Sequence, residues 1–356
     1  MFLAWNEVKY NKLRFILIAG VLMLVSYLVF FLSGLANGLE QLNREAVDKW
    51  NADGIILTEE ANINLPRSTM NIEDFNPEKV NDAAVLGQLN AIASVNDDLK
   101  SNVSIFGIRT DEFIMPEVTE GSPFSAEGEV IADDTLKEEG FRVGDELEIS
   151  SSDAVLTITG FTDNARFSAA PVLYSSLETV QTVQYDDAAE NNEGQINGIV
   201  IRDDNIDEVS LNGELQMVDT STFIESLPGY TEQNLTLNFM IYFLFIISSV
   251  ILAIFLYVLT IQKISMFGVM KAQGISSRYL ANSVIAQTFL LAFAGVIIGF
   301  LLAVVTGYFL PPAVPVAFDY TVMLVYGMVL IAVSVLGAFF SVRTIVKIDP
   351  LLAIGG

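Results

Sequence analysis

The chain has 356 residues, of which 18 are Lys or Arg and 43 are Asp or Glu, giving a net charge of −25, and it contains neither Cys nor His. Those absences exclude a disulfide framework, a thiol nucleophile, imidazole base chemistry and the usual Cys/His zinc sites. A mean hydropathy of +0.49 beside so large a charge does not suit one evenly solvated globule, so apolar and charged residues are expected in separate parts of the chain.

Residues 1–12 carry Phe2, Leu3, Trp5, Val8 and Tyr10 beside Lys9, which suits an interfacial helix. Residues 15–39 are uncharged, and a hydrocarbon layer of ~30 Å needs ~20 apolar residues as helix, so 13–39 is predicted as a first membrane span. Gly34-Leu35-Ala36 has the small residues of a signal-peptide cleavage site, but an apolar stretch of about 20 exceeds a typical h-region and favours an uncleaved anchor.

Residues 40–232 hold ten basic and forty acidic residues, a local charge of −30. Short β-type runs at Ile55–Leu57, Val103–Ile108, Glu129–Ala132, Glu146–Ile149 and Val155–Phe161 are bounded by Gly, Asp and Ser. Apolar spacing predicts helices over Glu40–Asn51, continuing the first span, and over Asn81–Ile92. The expectation is an α+β domain inserted between spans one and two. Asp133-Asp134, Asp186-Asp187 and Asp203-Asp204 are paired oxygen donors, but without EF-hand spacing they read as part of a solvated acidic coat rather than a cation site. No carboxylate pair stands out as an acid–base couple, and the negative domain repels nucleic acid.

Three more uncharged stretches predict spans over 233–262, 283–310 and 320–342, separated by a segment at 263–282 and a turn at 311–319 with Pro311-Pro312 and Pro315, and followed by a tail at 343–356. Lys9, Lys12, Arg14, Lys263, Lys271, Arg278, Arg343 and Lys347 flank the spans on one side against only Glu7 and Asp349, which makes that side, with both termini, cytoplasmic and 40–232 external. No phosphate-binding Gly-x-x-x-x-Gly-Lys-Ser/Thr loop occurs and the span interiors hold no ionisable residue, so the chain is expected to be no enzyme and any driving energy to come from a separate ATPase. Lys263–Arg278 mixes apolar and basic residues, fitting either a docking surface or a topological anchor. Gly295, Gly299, Ala303 and Gly307 form a small-residue stripe for helix packing, either on span four through Ser334, Gly337, Ala338 and Ser341 or on a second protomer.

The run Phe267-Gly268-Val269-Met270-Lys271-Ala272-Gln273-Gly274 resembles the cytoplasmic loop of FtsX/MacB-type ABC transporter permeases. Val143-Gly144-Asp145 with Ile158–Phe161, the ending Ile348-Asp349-Pro350, and the layout of one span, a large external domain and three spans resemble that family as well. The resemblance implies that Phe267, Gly268, Lys271 and Gly274 couple to a cytoplasmic ATPase. The opening Met1–Glu7 with Lys12–Phe15, Ser33–Leu39, Gly160–Ser168 and Leu227–Tyr230 are similar to the haemin-efflux branch (HrtB type). That similarity implies a homodimer paired with two ATPase subunits that bind ATP, taking haem from the membrane lipids and releasing it outside, with no intrinsic cofactor.

Haem iron accepts Tyr and Met as well as His and Cys, so the composition permits such a cargo. Candidate ligands near the outer leaflet are Met240 and Tyr242 at the start of span two, Tyr230 just before it, and Glu59 and Glu60 beyond the first helix. Each has an ordinary alternative: packing for Met240, an interfacial belt for the tyrosines, surface charge for the glutamates. Phe75, Phe167 and Tyr174 serve as aromatic walls or as core. Lateral uptake between spans one and two of a dimer is the implied route. Efflux of a peptide antibiotic, lipid or lipopeptide, or relay of motion to an extracellular hydrolase, are the alternatives.

Overall fold

The computed structural model describes residues 12–74, 82–96, 99–150, 152–185, 189, 192, 194–203, 214–311 and 314–346. The interfacial helix expected before residue 12, Phe75, Asp186-Asp187, Asp204 and the ending at 348–354 lie outside them, as does the side chain of Ser341. The chain forms two compact units, Met1–Leu39 with Asn234–Gly356, and Glu40–Gln233.

The first unit is helical. Among the described residues, four helices are long and apolar enough to cross a membrane, over Phe15–Trp50, Tyr230–Gln262, Ser277–Phe309 and Tyr320–Phe339. They belong to α1 (Lys12–Trp50), α5 (Tyr230–Gln262), α7 (Ser277–Phe309) and α8 (Tyr320–Val346). The first two contribute residues to both units. A short α6 (Ile264–Ala272) lies between α5 and α7. Inside the bundle Val29, Phe30, Ile241, Val296, Ala303, Met323 and Leu330 pack together, while Ile246, Ile254, Leu301, Val305 and Leu324 are exposed, the pattern of helices solvated by hydrocarbon. The buried hydroxyls of Thr288 and Ser334 donate to the carbonyls of Val284 and Leu330 one turn back. Their hydrogen bonds are thus met within the helix, as a medium without water requires.

The second unit is built on an 11-stranded sheet. Its strands are β1 (Gly54–Thr58), β3 (Asp82–Val95), β4 (Leu99–Ile108), β5 (Glu120–Gly121), β6 (Glu129–Asp133), β7 (Glu146–Ile149), β8 (Val155–Thr162), β9 (Arg166–Phe167), β10 (Ala170–Ser176), β12 (Gly198–Arg202) and β13 (Leu215–Asp219). The order is β13-β1-β12-β3-β4-β10-β6-β8-β5, with β7 joining β3 and β8, and β9 pairing β10. β10 runs parallel to β4, and β6 parallel to β8. A separate pair, β2 (Met70–Asn71) and β11 (Gln195–Ile196), lies apart from it. Helices α2 (Thr135–Glu139), α3 (Leu177–Tyr185) and α4 (Thr220–Glu225) complete the unit.

The helix expected at Asn81–Ile92 is instead most of strand β3. Its residues pair with β12 at one end and β4 at the other, and Ala84 through Gln88 are buried without a break. A strand covered on both faces loses the alternation that distinguishes it from a helix, and the apolar or small run Ala83–Gly87 then reads at either period. Gly87 and Gly107 face each other across β3 and β4, with Leu177 and Val180 of α3 packed over them. One face of the sheet is closed by an aromatic cluster: Phe106 lies 5.3 Å from Phe167 and 5.7 Å from Tyr174, and Trp50 stacks on Phe223 at 6.1 Å. Phe167 and Tyr174 are therefore core residues. Trp50, the last residue of α1, anchors that helix in the same cluster.

Candidate functional site

The five residues proposed to hold a ligand fall in different parts of the chain. Tyr230 opens α5 but is only 6% exposed, and its hydroxyl donates to Glu40 Oε1 at 2.6 Å. Glu40 also receives Arg44 at 3.3 Å, and Arg44 forks onto Asp48 at 2.8–3.0 Å. This phenol is engaged in a polar chain that ties the start of α5 to α1. Glu59 and Glu60 lie in a 3-10 turn after β1, exposed to solvent. Met240 and Tyr242 are in the helical unit, 49% and 56% exposed. Two residues apart on a helix is a rotation of about 200°, so they point to different sides and do not converge on one ligand. Phe239 and Phe243 form an exposed aromatic pair at 4.7 Å beside Met240; their spacing of four residues is visible in the sequence, and this pair is an addition to the set.

The stretch Gly160–Ser168 grips the end of α1. Arg166 forks onto Glu45 at 2.7 and 2.8 Å, and Lys49 donates to Thr162 Oγ1 at 2.6 Å and to the carbonyl of Asp163, with Asp163 Oδ1 at 3.1 Å. The backbone N–H groups of Ser168 and Ala169 donate to the carbonyls of Asn43 and Leu42.

In the segment expected to meet an ATPase, α6 turns its coupling candidates in different directions. Phe267 and Gly268 are buried, the phenyl ring against Leu280, Ala281 and Val284 of α7. Gly274 adopts φ +90, its N–H donates to Lys271 O, and Ile275 N–H donates to Met270 O; this left-handed close of the helix is one that glycine adopts without strain. Ser276 then caps α7, its hydroxyl oxygen accepting from Tyr279 N–H. Lys271 is half-buried. The outer face consists of Ser265, Met266, Val269, Ala272 and Gln273, all exposed. Met266 and Val269 are therefore the apolar side chains available to a partner, and Phe267 is the pivot that holds the helix in place.

The small-residue stripe meets the first span at Gly295 and Gly299, while Ala303 shares a buried cluster with Met323 and Leu330 of span four. A Cβ on Gly295 would meet Leu22 and Met23 at 2.7 and 3.2 Å, and one on Gly299 would meet Ser26 and Met23 at 2.7 and 2.8 Å, so these positions admit α1. Ala303 is fully buried in the bundle. Gly307 and Gly34 enclose the ring of Phe318, and Gly38 admits the carbonyl of Pro315. Ala317 N–H donates to Gly34 O at 3.0 Å and Asn37 Nδ2 to Ala317 O at 2.9 Å, which completes a clasp on the outer part of the first span. Gly337 of α8 instead faces Ser249 and Ala253 of α5. No group of three or more carboxylates able to hold a metal ion occurs among the described residues. Asp133 is buried and spends its oxygens on the N–H groups of Thr135 and Ala165.

Residues 238–350, within the helical unit, match the FtsX-like permease C-terminal family. Over its full length it is 26% identical, across 359 residues covering 100% of this chain and 99% of the relative, to a Staphylococcus haemolyticus protein named as the hemin transport system permease protein HrtB. An uncharacterised ABC transporter permease of Mycobacterium tuberculosis is 26% identical over 373 residues, with 100% and 99% of the two chains covered. Among solved structures, the periplasmic region of MacB from Actinobacillus actinomycetemcomitans is similar with a TM-score of 0.36 and 12% identity, over 49% of this chain and 92% of that one.

Proposed function

We propose that this chain is the membrane subunit of a pump that exports haem, working as a homodimer with two copies of a cytoplasmic ATPase, its sheet unit outside and both termini in the cytoplasm. The observation that carries the cargo is the end-to-end similarity to a permease named for hemin transport, at 26% identity without a missing segment on either side. The sidedness rests on eight basic residues flanking the spans on one side. The absence of a phosphate-binding loop assigns ATP hydrolysis to the partner. Haem partitions into the outer leaflet, engages weak ligands and is expelled as the ATPase drives the helices together; weak ligation suits a site that must release its cargo. Of the five, Met240 and Tyr242 are the exposed donors carried by a membrane-crossing helix, and since they point to different sides of α5, one of them binds the iron. Tyr230, tied to Glu40, holds helices together instead.

The test is a haemin titration of the detergent-purified dimer by absorbance, with Met240→Ala, Tyr242→Phe, Tyr230→Phe and Glu59→Ala in parallel, and ATPase assay of the assembled complex with and without haemin. A saturable Soret shift lost in Met240→Ala or Tyr242→Phe, with haemin-stimulated ATPase, is expected. No shift above detergent background, with no stimulation, assigns the pump to another amphiphile.

A further inference from the structure

The sheet unit contains a cleft that the haem pathway does not use. It measures about 1130 Å³ and opens beyond the ends of the parallel strands β4 and β10, between the irregular stretches 115–118 and 123–127. Its apolar lining includes the nearly buried Ile108 and Phe124, with Met115 and Val118 half-buried. Its charged lining consists of Asp111, Glu127, Glu178 and a single cation, Arg109, which is already 3.7 Å from Glu112. Glu127 is held in place by the Thr182 hydroxyl at 2.7 Å, whereas Asp111 and Glu178 are exposed and make no ion pair among the described residues. Small-ligand pockets are typically ~300–1,000 Å³ and bury most of their ligand, so an open cleft above that range suits a stretch of extended polypeptide better than a compact molecule. Three carboxylates above an apolar lining, in a unit of charge −30, select for positive charge alternating with apolar side chains.

We propose that this cleft binds an extended basic peptide segment, its cations on Asp111 and Glu178 and its apolar side chains over Met115 and Phe124. The site is separate from the haem reading: the Soret titration reports on that one and peptide binding on this one, so each fails alone.

The experiment uses the full chain in detergent and a short fluorescein-labelled peptide of alternating lysine and leucine, with alternating glutamate and leucine as the control. Fluorescence anisotropy should show saturable binding of one lysine peptide per chain and none of the glutamate peptide. Asp111→Lys with Glu178→Lys should weaken it at least about tenfold, whereas Glu139→Lys with Glu225→Lys, equal charge reversals away from the cleft, should change it less than about twofold. If the reversed pair lowers the thermal midpoint, Asp111→Asn with Glu178→Gln replaces it. A photocrosslinker at Ser125 should capture the peptide. Absence of saturable binding, equal loss in both reversal pairs, or no capture at Ser125 would overturn the proposal.

Discussion

Glu112 carries a strongly perturbed carboxyl. Its side chain is largely buried and accepts the Val85 N–H at 2.8 Å, occupying the edge of β3 where β4 has turned away. Burial pushes this carboxyl up from 4.5 to about 7, opposed by the Val85 hydrogen bond and Arg109 and reinforced by Asp111 and Asp82. The folded state therefore binds its proton more tightly than the unfolded chain does, so the contribution of Glu112 to stability is full below about pH 4.5 and declines as pH rises through about 7. Glu112→Gln should accordingly flatten that slope, raising stability at pH 8 by about 1–3 kcal/mol and leaving it little changed at pH 4.5. Chemical denaturation at the two pH values checks this, and an equal effect at both would refute the assignment. Arg202 presents a second case. Its guanidinium donates to the carbonyls of Trp50 and Asn51, ending α1, and stacks 4.1 Å over the Phe113 ring. Arg202→Lys keeps the charge but loses the planar fork, and should cost about 1–2 kcal/mol in unfolding free energy; an unchanged midpoint would mean that charge alone suffices there.

Glycine placement sets how closely the helices approach. Gly299 is bounded by backbone atoms of α1 at 2.8 and 2.9 Å, so Gly299→Leu cannot be absorbed by a rotamer change and should abolish a folded, monodisperse product. Gly20, on α1 itself, has nothing within 4 Å of an added Cβ, and Gly20→Leu should behave as wild type in size-exclusion and thermal unfolding. Equal behaviour of the two variants would mean that the α1–α7 approach is not as described. The stripe at 295, 299, 303 and 307 was legible as a packing face because four-residue spacing keeps small residues on one side of a helix. Its partner was not, because a small residue records only that something comes close; α1, with Leu22 and Ser26 on the facing side, decided it. Likewise α6 was readable as a short amphipathic element, but its orientation depends on Leu280 and Val284 a turn away in sequence and opposite in space.

For the whole molecule, the outer face of α6 predicts how the subunit is assembled with its motor. Met266→Asp with Val269→Asp should prevent co-purification of the ATPase while the permease keeps its thermal midpoint, since both side chains are exposed. Phe267→Ala should instead lower the midpoint by removing a buried ring, at a cost of about 3–5 kcal/mol, with ATPase binding lost only secondarily. If the exposed pair has no effect on co-purification, the docking face lies elsewhere on the cytoplasmic side. The segregation of charge also makes the two units respond differently to salt: the unit with a charge of −30 gains from screening of its self-repulsion, whereas the apolar helices, without charges in their interiors, do not.

The amino-acid sequence by itself determined the number and place of the apolar helices and the insertion of an acidic α+β domain after the first. These follow from local quantities, namely runs without charge and short β-type runs bounded by Gly, Asp and Ser. Only the tertiary structure decided that 82–95 is a strand, that Tyr230 is bonded to Glu40 across 190 residues, that Gly295 and Gly299 of α7 receive α1, and that Phe267 turns inward. The physical reason is common to all four: burial on both faces erases periodicity, and hydrogen bonds or close packing between segments far apart in the chain leave no mark on the spacing within either one.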